Sequence, residues 1–417
     1  NTLNPTAANS LVLNSSSPGS GILLNANITS NGDLVLLSNA TIARSSGVLS
    51  GTSISITSTN GSVGSGLARS GTNVFVNTPL LQVHGHGAAV TASGSVALQN
   101  ASAGNAASFS LSTVNGNITV NAAPTQTTGT TLKLSAGGSG NIVHNTAQTL
   151  TATSIELESG TGNIGALATP ILTSSTNLKA NTSFNGSAYV AATGDVNIGD
   201  SSAGSAFVLS SSGSINSSSD IRSSGSLSLS SDKNLDILYA IALNGSLTLT
   251  AGLNPALGAA QLHIKPNGII LASQGDLLLN NRNTTNGSTI LIDSNSVLTA
   301  FSTTNLGQVR VFFGNTFVPS AGSTPANVTE TKIGGLILYG NTTIKANGPV
   351  TNNLIAVNGL IGFNTDPLSS NAIVLNGGTV IASLSGQAPK VQLRSLDLSD
   401  ANVVSEIQTL QQNGYVG

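Results

Sequence analysis

The sequence predicts an all-β protein whose short strands coil into a parallel β-solenoid. The first observation is alternation: in residues 226–229 and 246–249 the apolar side chains fall at every second position, so they share one face of a strand. The second is recurrence, because Gly225 and Gly245 open near-identical runs. One such unit cannot bury its apolar face alone, whereas stacked units share a continuous core.

Composition is the third observation. The 417 residues include 47 Gly and no Trp, 3% are aromatic and only 7% are charged, yet 39% are hydrophobic. A hydrophobic share this large is not typical of a disordered chain. The composition is typical of a long all-β protein. We expect a core of stacked Leu, Ile and Val that includes Leu229, Ile237 and Leu249. The short runs around Leu235/Ile237 and Ile241/Leu243 are expected to turn their apolar residues to the same side.

A recurring phrase marks the coils in chain order: a turn residue, Gly, a small polar residue, then alternating aliphatics. Gly and Asn suit a tight corner because they tolerate a positive φ. Further strands are predicted between the copies, at 53–56, 131–134 and 154–157. With about 20–25 residues per coil, the copies stand at residues 31–36, 60–63, 93–98, 115–120, 139–143, 161–164, 193–198, 225–229, 245–249 and 274–279.

An antiparallel alternative is open, since Asn-Gly between alternating runs is also a strong hairpin signal. Stacked sandwich domains would then follow. Three features favour the solenoid. The Gly usually precedes a strand without a matched strand ending before it, the phrase recurs in one orientation, and 3% aromatic residues is little for sandwich cores of this size.

The phrase resembles the coils of filamentous-haemagglutinin-type exoproteins and autotransporter passengers, over roughly residues 31–298. That resemblance implies a right-handed parallel β-helix secreted by bacteria, with residues 1–299 as its shaft. Such coils serve adhesins, filament components and enzymes alike, so the resemblance addresses fold more than function. Because the sequence contains no Met, we also expect a mature or excised piece of a longer product.

The amino-acid composition changes after residue 300, where aromatic residues become more frequent. Residues 300–390 are expected to continue the solenoid in wider coils that pack Phe301, Phe312, Phe313, Phe317 and Tyr339, with a protruding loop near 318–330; an exposed aromatic contact patch is the alternative. Residues 391–417 read as a terminal strand, cap or linker, with a short helix from 399 to 412.

Charge and cysteine content exclude several classes of function. The 13 Lys and Arg residues are scattered and the net charge is −2, so no nucleic-acid footprint is present. No apolar run approaches the roughly 20 residues that a membrane-spanning helix needs. The chain has no Cys, which excludes disulfides, thiolate metal sites and cysteine nucleophiles.

Candidate metal ligands are few. His84 and His86 lie two residues apart and are expected on one strand face, but a site needs a third ligand, and the other two histidines are His144 and His263. We expect surface histidines. Glu156 and Glu158 are expected on a solvent face without basic neighbours. The run 137–141 resembles a calcium-binding nonapeptide, but it has Asn where that motif needs Asp and stands without tandem copies.

A polysaccharide lyase or hydrolase would need clustered acidic and basic residues in a groove. The nearest approach is the run 232–236, with Asp232, Lys233 and Asp236, which is expected between strands near Tyr239. We therefore expect no catalytic, cofactor or metal site. The many Asn-x-Ser/Thr sequons are what this composition yields by chance; they include Asn27, Asn117, Asn244 and Asn341.

The predicted function is structural: a non-catalytic extracellular shaft of a bacterial surface adhesin, or a self-assembling filament subunit. The alternative is a β-helix that binds or cleaves polysaccharide. The expected partners are other copies, through terminal strands such as 11–13 and 22–24, and cell-surface glycans or other cells. About 17 to 20 coils at about 4.8 Å each predict a rod of roughly 80–95 Å.

Overall fold

The fold was obtained as a computed structural model. It describes residues 10–64, 73–103, 108–122, 131–145, 148–275 and 277–283, and beyond these the backbone of ten further strands. Side chains are described up to residue 283, except that of Ala103. The chain forms two compact units, residues 1–193 with 202–205 and residues 194–201 with 206–417.

Short strands make up almost all the described structure. Strands β1 to β20 are, in order, Ser10–Ser15, Ile22–Leu24, Ile28–Thr29, Asp33–Ser38, Ile42–Arg44, Leu49–Ser50, Ser53–Ser58, Val74–Asn77, Leu80–Gly85, Ala88–Ala92, Val96–Ala103, Phe109–Thr113, Ile118–Val120, Thr131–Ala136, Ile142–His144, Thr149–Thr151, Ser154–Ser159, Ile171–Ser174, Asn177–Thr182 and Ala188–Ala192. Strands β21 to β40 are, in order, Val196–Ile198, Ser201–Ala203, Phe207–Ser211, Ile215–Ser217, Asp220–Ser223, Leu227–Ser231, Leu235–Ala242, Leu247–Ala251, Gln261–Ser273, Leu277–Asn281, Thr289–Ile292, Val297–Phe301, Val309–Phe313, Gly335–Leu338, Thr343–Asn347, Asn353–Val357, Leu360–Phe363, Ala372–Leu375, Gly378–Ala382 and Val391–Gln392.

Parallel ladders stack the coils of the first unit. Seven strands form one sheet in the order β1, β4, β7, β9, β11, β13, β15. A second ladder runs through β3, β6, β8, β10, β12, β14, β17 and β19. Each strand pairs with one that follows a full coil later and not with its sequence neighbour. This pattern confirms the parallel β-solenoid and excludes the antiparallel alternative for the described strands.

The second unit repeats the architecture. One ladder joins β23, β26, β28, β30, β33, β36 and β39. The other joins β21, β24, β27 and β29, and it then divides because the long β29 pairs with both β31 and β32. Strands β34 and β37, and β35 and β38, extend those two branches.

The core consists of aliphatic side chains stacked in register. Leu209, Leu229, Leu249 and Leu279 occupy one column of the second unit, and each is 0% exposed. Ile237 is also fully buried, so the three core positions predicted from the sequence are confirmed. Alternation explains this result, because successive strand residues point to opposite faces and only one face meets the interior.

The prediction for the run around Ile241/Leu243 is wrong. The structure merges it with the preceding run into β27, and the register of β27 against β29 shifts between Ile237 and Tyr239. That irregularity reverses which side chains point inward. Ala240 and Ala242 are therefore buried, whereas Leu243 is 45% exposed.

Polar side chains at the corners also link successive coils through hydrogen bonds. The third residue of the recurring phrase accepts a hydrogen bond from the backbone N–H one coil later: Asn117 Oδ1 from Asn141 at 2.8 Å, Asn141 Oδ1 from Asn163 at 2.7 Å, and Asn163 Oδ1 from Ser187 at 2.8 Å. These partners lie 22 to 24 residues apart, which agrees with the predicted coil length. Coil length varies along the chain: Leu227 and Leu247 pair 20 residues apart, whereas Leu247 and Leu277 pair 30 residues apart.

Several predictions fall outside the described residues: the helix at 399–412, the loop near 318–330, and the positions of Phe317 and Tyr339. Phe301, Phe312 and Phe313 lie on strands whose backbone alone is described. The domain boundaries at 299 and 390 and the right hand of the coil stay predictions. Within the described ranges no helix is long and apolar enough to cross a bilayer.

Candidate functional site

A column of polar side chains runs along one face of the second unit. Asn197, Asn216, Asp236 and His263 occupy matching positions on β21, β24, β27 and β29. Each is the outward neighbour of a buried aliphatic residue that belongs to the core. Parallel in-register pairing brings equivalent positions of successive coils to about 4.8 Å spacing, so four polar groups distant in sequence become adjacent.

Lys265 crosses this column. Its Nζ donates to Asn216 Oδ1 at 2.5 Å and to the Ser217 carbonyl oxygen at 2.8 Å, although those residues lie 49 and 48 positions earlier. The side chain therefore passes over the intervening coil that carries Asp236. It starts from an irregular segment of β29, where Asn267 has a φ of 60° and the register against β27 shifts.

Hydrogen bonds orient every polar group in the cluster. Asn216 Nδ2 donates to Asn197 Oδ1 at 2.8 Å, which leaves Asn216 Oδ1 facing Lys265. His263 Nδ1 lies 3.1 Å from Asp236 Oδ1, and their side chains are only 20% and 28% exposed. Burial lowers the pKa of the Lys265 ammonium, and the nearby Asp236 carboxylate opposes part of that shift by raising it.

The predicted position of residues 232–236 in the fold is partly wrong. That run was expected between strands, but Asp236 lies within β27, while Asp232 and Lys233 occupy the preceding turn. His263 and Lys265 were not connected with Asp236 from the sequence. A signal was present in the sequence, because residues 262–264 repeat the apolar–polar–apolar order of residues 235–237, and the structure pairs these two runs in register.

A second charged cluster lies in the first unit. Glu156 and Glu158 face outward as predicted, but the expectation that they lack basic neighbours is wrong. Lys133, one coil earlier, places Nζ 2.6 Å from Glu158 Oε1 and 3.7 Å from Glu156 Oε2. Lys179 stands opposite Glu156 on the next coil. Opposite charges on adjacent strands attract each other, so we interpret this patch as a surface ion-pair network that stabilises the fold.

The two neighbouring histidines have separate environments. His84 is half-buried in β9, and its Nδ1 lies 2.8 Å from Ser102 Oγ. Burial lowers the pKa of the His84 imidazole. His86 is exposed beyond the end of β9, so the two rings do not share one strand face as expected.

The other candidate metal ligands make contacts between neighbouring coils. His144 Nε2 lies 2.9 Å from the Pro170 carbonyl oxygen. In the run 137–141, Gly140 packs so closely on the preceding corner that a Cβ would lie 1.9 Å from the Gly116 carbonyl oxygen. Across the described part of the chain, no three His, Asp or Glu side chains are grouped to hold a metal ion.

Three of the four named sequon asparagines form hydrogen bonds with the backbone of a neighbouring coil. The amide oxygens of Asn27 and Asn117 accept backbone N–H groups of Val48 and Asn141, at 2.9 and 2.8 Å. Asn244 Nδ2 donates to the Ser224 carbonyl oxygen at 2.9 Å, and Asn341 falls outside the described residues.

The chain was also compared with known proteins. No family model, no curated protein and no solved structure matches it.

Proposed function

We propose that the chain is an extracellular structural shaft, of the kind found in filamentous-haemagglutinin-type exoproteins and autotransporter passengers, and that it acts without catalysis at a bacterial surface. The observation that carries the proposal is the in-register stacking of the recurring phrase. Val96, Ile118, Ile142, Ile164 and Ala188 follow one another up a single column of the first unit.

Such a stack suits a load-bearing role. Neighbouring coils are joined by backbone ladders, by aliphatic columns and by the corner amides, so each coil is held mainly by the coils on either side. Many outward strand positions carry Ser, Thr or Asn, and only 7% of all residues are charged. A uniform surface of this kind favours an extended spacer more than a site shaped for one small substrate.

We propose other copies of the chain as partners, with cell-surface glycans or neighbouring cells as further ones. Strand β1 supports self-association, because among the described strands of its sheet it pairs with β4 alone, and Val12 is 56% exposed. Leu23 on β2 is 61% exposed. Strand edges with apolar side chains pair readily with further strands.

Electron microscopy of the purified chain at increasing concentration tests this proposal. We expect fibres, and we expect their growth to stop when residues 1–24 are deleted. The single substitution Val12→Lys, which places a charge on the exposed face of β1 without shortening the chain, is expected to slow growth. Single particles that persist at high concentration would refute the filament role.

A second candidate function, binding or cleavage of an acidic polysaccharide, is favoured by the cluster of Asp236, His263 and Lys265. Asp and His side chains joined by a hydrogen bond are suited to general acid–base work. Saturable cleavage in a screen of plant and bacterial glycans, abolished by Asp236→Asn, would replace the structural proposal. Attachment to glycans without cleavage would support the adhesin version.

A further inference from the structure

The cluster in the second unit brings an amine and a carboxamide from different coils into contact, with a carboxyl group on the coil between them. We propose that Lys265 and Asn216 join spontaneously in an isopeptide bond, with Asp236 transferring the proton. The bond would link two coils covalently across the coil between them. This inference does not depend on the proposed function.

The geometry brings the reacting atoms together. Lys265 Nζ lies 2.5 Å from Asn216 Oδ1, and a C=O bond is about 1.2 Å long, so Nζ is at most about 3.7 Å from the carbonyl carbon Cγ. Reacting atoms in a productive arrangement are separated by about 3–3.5 Å. The Asn216 amide cannot rotate freely, because its Nδ2 is held by Asn197 Oδ1 at 2.8 Å.

The surroundings make the nucleophilic form of the amine easier to reach. An amine attacks only when it is unprotonated, and desolvation favours that form. Burial lowers the pKa of Lys265, and this effect is larger than the opposing effect of Asp236. Asp236 stands opposite Asn216 in register and is held by His263, 3.1 Å away. Its carboxylate therefore lies on the coil between those that carry the amide and the amine.

The reaction balances without a further reagent. Asp236 takes one proton from the Lys265 ammonium, and the free amine then adds to Asn216 Cγ. As the tetrahedral intermediate collapses, the new Nζ–Cγ bond remains and the Cγ–Nδ2 bond breaks. The proton held by Asp236 and one from Nζ pass to the departing nitrogen. That nitrogen leaves as ammonium, and Asp236 returns to its carboxylate form.

The other charged network provides the contrast. Lys133 Nζ contacts the carboxylates of Glu156 and Glu158. A carboxylate accepts the attack of an amine far less readily than a carboxamide, since its negative charge is spread over both oxygens. Lys133 is therefore expected to keep its amine, and Lys133→Arg is a matched control that leaves the reacting cluster intact.

Mass spectrometry of the intact full chain tests the proposal. We expect a mass lower than that of the sequence by one ammonia molecule. Cleavage before Asp separates fragment 200–219, which contains Asn216, from fragment 236–275, which contains Lys265; we expect both in one branched peptide. A full-mass chain that yields the two fragments separately would overturn the proposal, as would a mass gain at residue 216 from hydrolysis to Asp.

Variants then assign the roles. Asn216→Ala and Lys265→Arg remove one reacting group each and are expected to abolish the mass loss, whereas Lys133→Arg retains it. Asp236→Asn keeps both reacting groups, and we expect it to give folded, full-mass protein, with the parallel-sheet circular dichroism of the unchanged chain as the check on folding. Complete cross-linking in folded Asp236→Asn would contradict the proton-transfer role.

Discussion

At the residue scale, Phe184 is the side chain whose backbone conformation is most at odds with its type. Its φ is 52°, in the left-handed region that bulky residues rarely adopt, and the residue is 79% exposed. The next coil packs directly on this corner, since a Cβ on Gly204 would lie 1.7 Å from the Phe184 carbonyl oxygen. Tight stacking therefore imposes the conformation that the residue itself disfavours.

We predict that Phe184→Asn stabilises the protein by about 1 kcal/mol, because Asn tolerates the left-handed region and little buried ring area is lost. Thermal unfolding followed by circular dichroism should show a higher Tm. Phe184→Ala is the matched control: it also removes the ring, but Ala lacks the short polar side chain by which Asn tolerates the left-handed region. An equal gain in the Ala variant would show that ring exposure, and not backbone strain, is the destabilising feature.

At the scale of the structural element, several successive corners of the first unit are joined to one another by an Asn side chain. A backbone N–H just before a strand lies outside the regular ladder and needs a partner of its own. The third position of the recurring phrase supplies it. Asn117 Oδ1, for example, accepts both the backbone N–H and the Nδ2 of Asn141, at 2.8 and 3.2 Å.

We predict that Asn117→Ala lowers the free energy of unfolding by about 1 kcal/mol, since the part-buried N–H of Asn141 loses its acceptor. Urea denaturation gives the measurement. Asn117→Asp keeps the accepting oxygen and should lose clearly less. If the Ala and Asp variants unfold alike, the oxygen of Asn117 does not support the corner.

At the scale of the whole molecule, both units consist of coils that depend on their neighbours for burial. The column of Leu209, Leu229, Leu249 and Leu279 is continuous, and every member is fully buried. In such a stack stability is close to a sum of contacts between adjacent coils. A defect in one coil therefore weakens the coils on both sides.

We predict that Leu229→Asp destabilises the second unit by at least about 3 kcal/mol, because it buries an unpaired charge between Leu209 and Leu249. Thermal or urea unfolding should shift accordingly. Ser228→Asp places the same charge on the neighbouring outward position of β26 and should change stability by less than about 0.5 kcal/mol. Similar losses in both variants would argue against an interior column at Leu229.

Local pattern alone determined the class of fold and most of its core. Period-two alternation assigns side chains to faces without knowledge of tertiary contacts, which is why Leu229, Ile237 and Leu249 were placed correctly inside. The recurrence of the Gly phrase predicted parallel coils for the same reason, since like units that share one apolar face must stack. The function stays a proposal, because a repeated coil carries no chemistry of its own.

Tertiary structure decided what depends on register. The irregularity between Ile237 and Tyr239 put Ala240 and Ala242 inside and left Leu243 exposed, and no alternation pattern contains that shift. Register also joined Lys133 to Glu158 and brought Lys265 to Asn216, pairs that are 25 and 49 residues apart. Contacts between coils depend on the length of every intervening loop, whereas the faces of a strand depend only on adjacent residues.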